Sequence, residues 1–101
     1  MLFMTPSKAQ KKIAENMRQQ RLAMELTQEG LSKRSGVPLP TLRKFEQKGA
    51  ISLESFLKLQ MVLGGLGDIV SATELKEDIF NSIDDVLEED EKPKRQRGKL
   101  T

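Results

Sequence analysis

The strongest constraint on the fold is a helix-start pattern that the sequence repeats three times. In each copy, an apolar residue stands before the first helical turn and a second apolar residue follows five positions later. This is the spacing of a hydrophobic staple, whose two side chains pack together and set the angle at which the chain enters a helix. The pairs are Leu26 and Leu31, Val37 and Leu42, and Ile51 and Phe56.

The N-cap position of each start lies between the two apolar partners, at Thr27, Pro38 and Ser52. The hydroxyls of Thr27 and Ser52 can accept hydrogen bonds from backbone N–H groups that have no partner in the first turn. Pro38 has no hydroxyl, but Pro40 falls in the first turn, where a missing N–H costs no helical bond. The two prolines therefore start a helix and do not break one.

These signals predict an all-α chain with a five-helix domain, since no alternating run of Val, Ile and Thr indicates a strand. The predicted helices span about 7–24, 28–35, 39–48 and 53–63, with one or two more between about 67 and 90. Glycine adopts the left-handed conformation that ends a helix, and Gly36, Gly49 and Gly64 stand at these ends. The predicted inner side of the first helix consists of Ala9, Ile13, Met17 and Leu22 or Met24.

The composition argues against catalysis and metal binding. The 101 residues include no His and no Cys, which removes the commonest general base and the usual zinc ligands. Gly64-Gly65-Leu66-Gly67 lacks the spacing of a phosphate-binding loop, and the carboxylates of 84–91 lack the spacing of a calcium loop. We therefore expect no enzyme, no cofactor and no metal. No apolar run approaches a membrane span, so we expect a cytoplasmic, nucleoid-associated protein without membrane contact.

Charge divides the chain into three parts. Residues 1–67 contain eleven Lys/Arg and five Asp/Glu, and residues 68–92 contain two Lys and ten Asp/Glu. Four more cations follow in residues 93–101. A basic body indicates a polyanion as partner, although an ordinary solvated surface is the alternative. We predict a DNA-binding domain over 1–67, an acidic helical segment for dimerisation or a partner over 68–90, and a basic flexible tail over 91–101.

Two short helices joined by a tight turn at Gly36 form a helix-turn-helix pattern. The stretch LTQEGLSKRSGV at 26–37 and the stretch TLRKFE at 41–46 resemble the signature of lambda-repressor/Cro-like (XRE) domains. The resemblance covers residues from about 12 to 66. It departs from the family at Gly30, which lowers helix stability by about 1 kcal/mol relative to Ala, and at Pro38, where the family has a Ser or Thr cap.

A second resemblance, to HipB-type proteins, rests on the run VPLPTLRKFE at 37–46 and on ISLES at 51–55. HipB-type proteins are DNA-binding partners of HipA-like kinase toxins. Their C-terminal parts often contain a SIDELL element and a basic tail, to which SIDDVL at 82–87 and KPKRQRG at 92–98 are similar.

The family resemblance implies a dimer that inserts helix 39–48 of each copy into the major groove of operator DNA. Gln28 occupies the position of the family's phosphate-binding glutamine. Leu39 and Pro40 stand at base-reading positions, where they can contact thymine methyl groups. Lys44 or Arg43 can donate to guanine, or both can contact phosphate alone. The complete set of implied DNA contacts is Gln28, Pro38, Leu39, Pro40, Thr41, Arg43, Lys44, Gln47 and Lys48.

In many family members, an Arg on the first helix pairs with the Glu that follows the aromatic residue of the third. Arg21 and Glu46 occupy these positions. The pair either directs Arg21 and the recognition helix at the DNA backbone or is a purely structural ion pair.

The leading hypothesis is a homodimeric, HipB-like repressor of its own operon, with a HipA-like kinase toxin as a possible partner. One alternative is a prophage repressor or restriction-modification controller without a toxin. Another is a protein-binding adaptor that no longer reads DNA. The apolar residues Leu75, Ile79, Ile83 and Leu87 recur every four positions in the acidic segment. They indicate a helix that packs on its own domain or on the dimer mate, or that binds a second protein.

Overall fold

The computed structural model describes residues 3–76, and within this range the chain consists of five α-helices and no strands. The helices are α1 (Pro6–Ala23), α2 (Gln28–Ser35), α3 (Leu39–Lys48), α4 (Leu53–Leu63) and α5 (Leu66–Ala72). The predicted all-α class is therefore confirmed, and the predicted ends of α2, α3 and α4 agree with the structure. The predictions for the acidic segment beyond Lys76 and for the basic tail lie outside the described residues.

The helix starts follow the predicted capping chemistry. Thr27 Oγ1 accepts a hydrogen bond from the Gly30 N–H at 2.9 Å, and Ser52 Oγ accepts one from the Ser55 N–H at 3.1 Å. Pro38 makes no side-chain cap, and α3 instead begins with Pro40 in its first turn. A conformationally fixed proline thus replaces a hydroxyl cap at the start of α3.

The core lies where α1, α2, α3 and α4 meet. The staple residues belong to this core or pack against it, as their spacing predicts. Phe45 of α3 meets Phe56 of α4 edge to face, with ring centroids 6.4 Å apart and an interplanar angle of 72°. Such aromatic pairs stabilise a core beyond the area they bury. The buried hydrophobic residues are Ala14, Met17, Leu31, Val37, Leu42, Phe45 and Leu59.

The predicted inner side of α1 was largely wrong. Of that set Met17 is buried and Ala9 is half-buried, whereas Ile13, Leu22 and Met24 are between 41% and 43% exposed. The buried row instead runs through Ala14, Met17 and Arg21. Arg21 turns inward because its guanidinium pairs with a carboxylate of α3, so a charged residue occupies a position on the buried face, four residues after Met17.

The α4–α5 end of the domain has a different character. No residue of α5 is buried, and α5 packs against α4. Several large apolar side chains remain exposed here, namely Met61, Val70 and Leu75. None of the helices among residues 3–76 is long and apolar enough to cross a membrane.

Candidate nucleic-acid interface

The turn between α2 and α3 is held by side-chain hydrogen bonds. Ser32 Oγ donates to the Val37 carbonyl at 2.6 Å, and the Val37 N–H donates to Ser35 Oγ at 3.1 Å. Gly36 between them has φ 81° and donates its N–H to the Ser32 carbonyl. Val37 is itself buried. These contacts fix the direction in which α3 leaves α2.

The two faces of α3 divide the helix between core and solvent. Leu42 and Phe45 are buried, and they lie on one side of the helix at i, i+3 spacing. The exposed face carries five of the predicted DNA contacts, which are Pro40, Arg43, Lys44, Gln47 and Lys48. Their spacing of three and four residues places them in one stripe, so a single flat surface can enter a groove.

This exposed stripe has a uniform charge. It contains three cations, Arg43, Lys44 and Lys48, and no carboxylate. Arg43 Nη2 lies 3.6 Å from Glu29 Oε2 of α2, and both side chains are more than half exposed. An exposed pair of this length contributes little to stability and is screened by salt. Arg43 can therefore exchange Glu29 for a phosphate or a base at low cost.

The first turn of α3 presents little hydrogen-bonding capacity. Pro38 and Pro40 are exposed, whereas Leu39 and Thr41 are half-buried. Of the two predicted methyl-contacting residues, Pro40 is thus freely accessible and Leu39 is partly covered. The beginning of the helix can press on a thymine methyl group, and the cations further along offer the donors.

Arg21, Glu46 and Gln28 form one buried network behind the exposed stripe. Arg21 Nε and Nη2 donate to the two Glu46 oxygens at 2.8 and 3.0 Å, and Nη1 donates to the Leu26 carbonyl at 2.8 Å. The Arg21 and Glu46 side chains are 7% and 6% exposed. This bidentate geometry, shielded from water, indicates that the predicted pair orients α3 against α1.

Gln28 has a structural partner that the sequence did not reveal. Its Nε2 donates to Glu46 Oε1 at 2.9 Å, so the start of α2 joins the same carboxylate. An amide nitrogen has two hydrogens, and one remains for the predicted phosphate contact. The network therefore holds Gln28 at the N-terminus of α2, where the helix dipole favours an anion.

A second contact missed by sequence reasoning joins α1 to the end of α3. Gln10 Nε2 donates to the Gly49 carbonyl at 3.2 Å. A Cβ on Gly49 would come within 3.0 Å of the Gln10 backbone, and Gly49 has φ 80°. Glycine is thus required here for two reasons, of which the C-cap pattern predicted only the conformational one.

The described residues contain no group of His, Cys, Asp and Glu that could hold a metal ion. The surface presents cations and hydrogen-bond donors from α3 and the start of α2.

A family model described as helix-turn-helix matches residues 17–67, from the second half of α1 into α5. The match includes both helices of the turn and the whole exposed stripe of α3. No curated protein and no solved structure shows a significant match to the chain.

Proposed function

We propose that this chain, which belongs to the lambda-repressor/Cro-like helix-turn-helix family, is a sequence-specific repressor. Membership of this family makes the chain a DNA-binding transcriptional regulator. The proposal adds repression, operator specificity and protein partners to this role. No catalytic step forms part of it.

The observation that supports the proposal most strongly is the division of α3 between two faces. Its apolar residues are buried, and its free stripe is cationic without a single carboxylate. Cations that neutralise phosphates provide most of the affinity of a protein for duplex DNA. A helix of ten residues held rigidly from behind has the right size to enter a major groove.

This surface offers few side-chain groups that can recognise bases. Lys44, or Arg43 after it leaves Glu29, donates to guanine O6 and N7. Pro40 contacts a thymine methyl group, and Gln47 and Lys48 contact the bases or phosphates toward the end of the helix. One or two polar base contacts in each half-site leave the remaining specificity to DNA shape and to half-site spacing.

A single recognition helix covers only one half-site, so the proposal includes a homodimer on a two-fold operator. The exposed apolar side chains of Met61 and Val70, at the α4–α5 end, supply surface for such an association. A patch of exposed apolar side chains is typical of protein–protein contact sites, and in this proposal the two side chains contribute to such a patch.

The finer part of the proposal is a HipB-like role, in which the repressor controls its own operon and binds a HipA-like kinase toxin. Its support is the resemblance of residues 37–55 to that subgroup. The matching SIDDVL element at 82–87 and the basic tail lie outside the described residues. Co-purification of a kinase-like protein from the native host tests this part independently of DNA binding.

The direct test is a titration of the purified protein against a fluorescent duplex from upstream of its own gene. A scrambled duplex of equal length is the control, and both are measured at several salt concentrations. We expect the upstream duplex to bind at least about a thousandfold more tightly, the lower end for specific binders. Equal and weak binding to both would overturn sequence-specific repression while leaving phosphate contact intact.

Two other functions compete with this one. A prophage repressor or restriction-modification controller has the same DNA chemistry, and gene neighbours without a kinase would favour it. A protein-binding adaptor is favoured by the prolines at the reading end of α3, Pro38 and Pro40, which offer no side-chain donors. Affinity for duplex DNA that falls steeply with salt would contradict the adaptor.

A further inference from the structure

A groove runs between α1 and α4, and no residue of α2 lines it. It consists of two adjoining cavities of about 260 and 230 Å³, which share Ile13 and Phe56 as lining residues. Along α1 the groove extends from Gln10 to Gln20. At a rise of about 1.5 Å per residue this distance is roughly 15 Å, which is about three turns of a packed helix.

The first half of the groove is apolar and open. Its rim includes Leu53, which is 68% exposed, and Ile13, which is 41% exposed. Phe45, Ile51 and Phe56 form the floor. Exposed apolar side chains around an apolar floor are what an amphipathic helix covers when it lies in a groove.

The second half of the groove is more polar. Gln60 is only 5% exposed and lines this cavity together with Asn16, Gln20 and Asp68. A Cβ on Gly65 would collide with Gln60 Oε1, so the absence of a side chain at 65 leaves room for this amide. The groove therefore has an apolar end and a hydrogen-bonding end.

We propose that this groove is occupied by residues 77–90 of the same chain. The segment follows α5, which borders the groove. Asp68 and Ile69 of α5 line the groove, and the described residues end at Lys76, shortly after α5. Residues 73–76 span about 13 Å when extended, enough to bring the following segment back to the groove.

The length of the segment and the spacing of its apolar residues match the groove. Ile79, Ile83 and Leu87 recur every four residues and predict one apolar stripe on a helix. From Ile79 to Leu87 such a helix rises about 12 Å, which the groove of roughly 15 Å accommodates. Because a short linker joins the segment to the domain, its effective concentration at the groove is in the millimolar range.

The charge of the segment is opposite to that of the lysines on α1 beside the groove. Residues 77–90 contain seven Asp/Glu and no Lys or Arg. On α1, Lys8 and Lys12 share an i, i+4 stripe with Asn16, which lines the groove, so these lysines extend along its rim. Asp68 is the one carboxylate among the lining residues and lies at the polar end. Docking places the acidic face of the segment beside the lysines.

A spin label provides the test, because the chain has no cysteine and a single one can be introduced. We would label Ser82→Cys with a nitroxide in the full-length, isotopically labelled protein and record amide spectra at low protein concentration. We expect loss of the signals of groove residues such as Ile13, Asn16 and Leu53. The signals of Lys33 and Arg34 on α2 should persist.

Two further samples decide the outcome. The first of these is a mixture of two proteins, one with the spin label but no isotope and one with the isotope but no spin label. Only the second protein gives signals, so loss of its groove signals would place the segment on a second copy and overturn the proposal. Undiminished groove signals in the protein that carries both the spin label and the isotope would overturn it as well. In the variant Leu53→Asp, whose exposed position leaves folding intact, the groove signals should return. High salt should return them in part, since it screens the lysine–carboxylate attraction.

Discussion

The α2–α3 corner and the α4–α5 end are built by opposite means. At the corner, α2 and α3 are joined by a hydrogen-bonded serine turn and by the Glu46 carboxylate, which is 94% shielded. At the other end, α5 has no buried residue, and the N-terminus of α5 has no side-chain cap. One region is held by directional bonds, and the other by partial apolar contact.

The difference shows which helices of this domain are held at a fixed angle. Hydrogen bonds fix angles, whereas apolar contact is non-directional and tolerates sliding. A helix that must enter a groove in one register needs the first kind of support. The α4–α5 end, which we propose to contact a partner copy, does not need such fixed angles. The following predictions test this contrast, beginning with the largest effect.

Arg21→Ala should destabilise the domain by about 3–5 kcal/mol, because it leaves the Glu46 carboxylate buried without its partner. Urea unfolding measures the effect. Lys58→Ala is the matched control, since it breaks the exposed Glu54–Lys58 pair on α4 and should cost at most about 0.5 kcal/mol. Similar losses for the two variants would mean that the buried network does not anchor the corner.

Gly49→Ala and Gly36→Ala should differ although both glycines have φ near 80°. An L-residue in this conformation costs about 1–2 kcal/mol, which applies to both positions. A Cβ at Gly36 meets nothing within 4 Å, whereas at Gly49 it meets the Gln10 backbone at 3.0 Å. Overpacking should add at least about 1 kcal/mol for Gly49→Ala. Equal losses in thermal unfolding would show that α1 moves away without cost.

Lys44→Ala should weaken binding to the upstream duplex by about 1–3 kcal/mol, roughly five- to 150-fold, if Lys44 reads a guanine. Binding to the scrambled duplex should change much less. Lys58→Ala on α4 serves again as the control and should leave both affinities unchanged. An equal loss on both duplexes, with a salt slope smaller by about one, would assign Lys44 to a phosphate.

Val70→Ser should change the free energy of unfolding by no more than about 0.5 kcal/mol, because the side chain is 56% exposed on α5. Dilute protein is needed, so that self-association does not contribute. The same variant should lower the dimer fraction in sedimentation at high concentration. A stability loss well above 1 kcal/mol in the dilute sample would mean that α5 is held more tightly than its burial indicates.

The sequence predicted the helix boundaries well because staples, caps and glycine stops are local signals. Thr27, Ser52 and Gly36 act within one turn of the chain, so their effect can be read without the fold. The prediction of the inner face of α1 was wrong because that face depends on a contact between residues far apart in the sequence. Arg21 lies inside only because Glu46, 25 residues away, receives it.

The candidate site divides in the same way. The exposed stripe with Arg43 and Lys44 was predictable, because Leu42 and Phe45 define the buried side of α3 by their spacing. The bond from Gln28 to Glu46 and the contact of Gln10 with Gly49 were not predictable. Both depend on how distant helices approach, which no local pattern records.

The Glu46 network has a consequence for how such a surface can change over time. Its carboxylate fixes the axis of α3 from the buried side, and none of the exposed residues Arg43, Lys44 and Gln47 contributes a bond to it. Substitutions on the outer stripe therefore leave the pose of the helix intact. Under the proposed function, target preference and folding are therefore separable traits, and variants with a changed target preference can still fold.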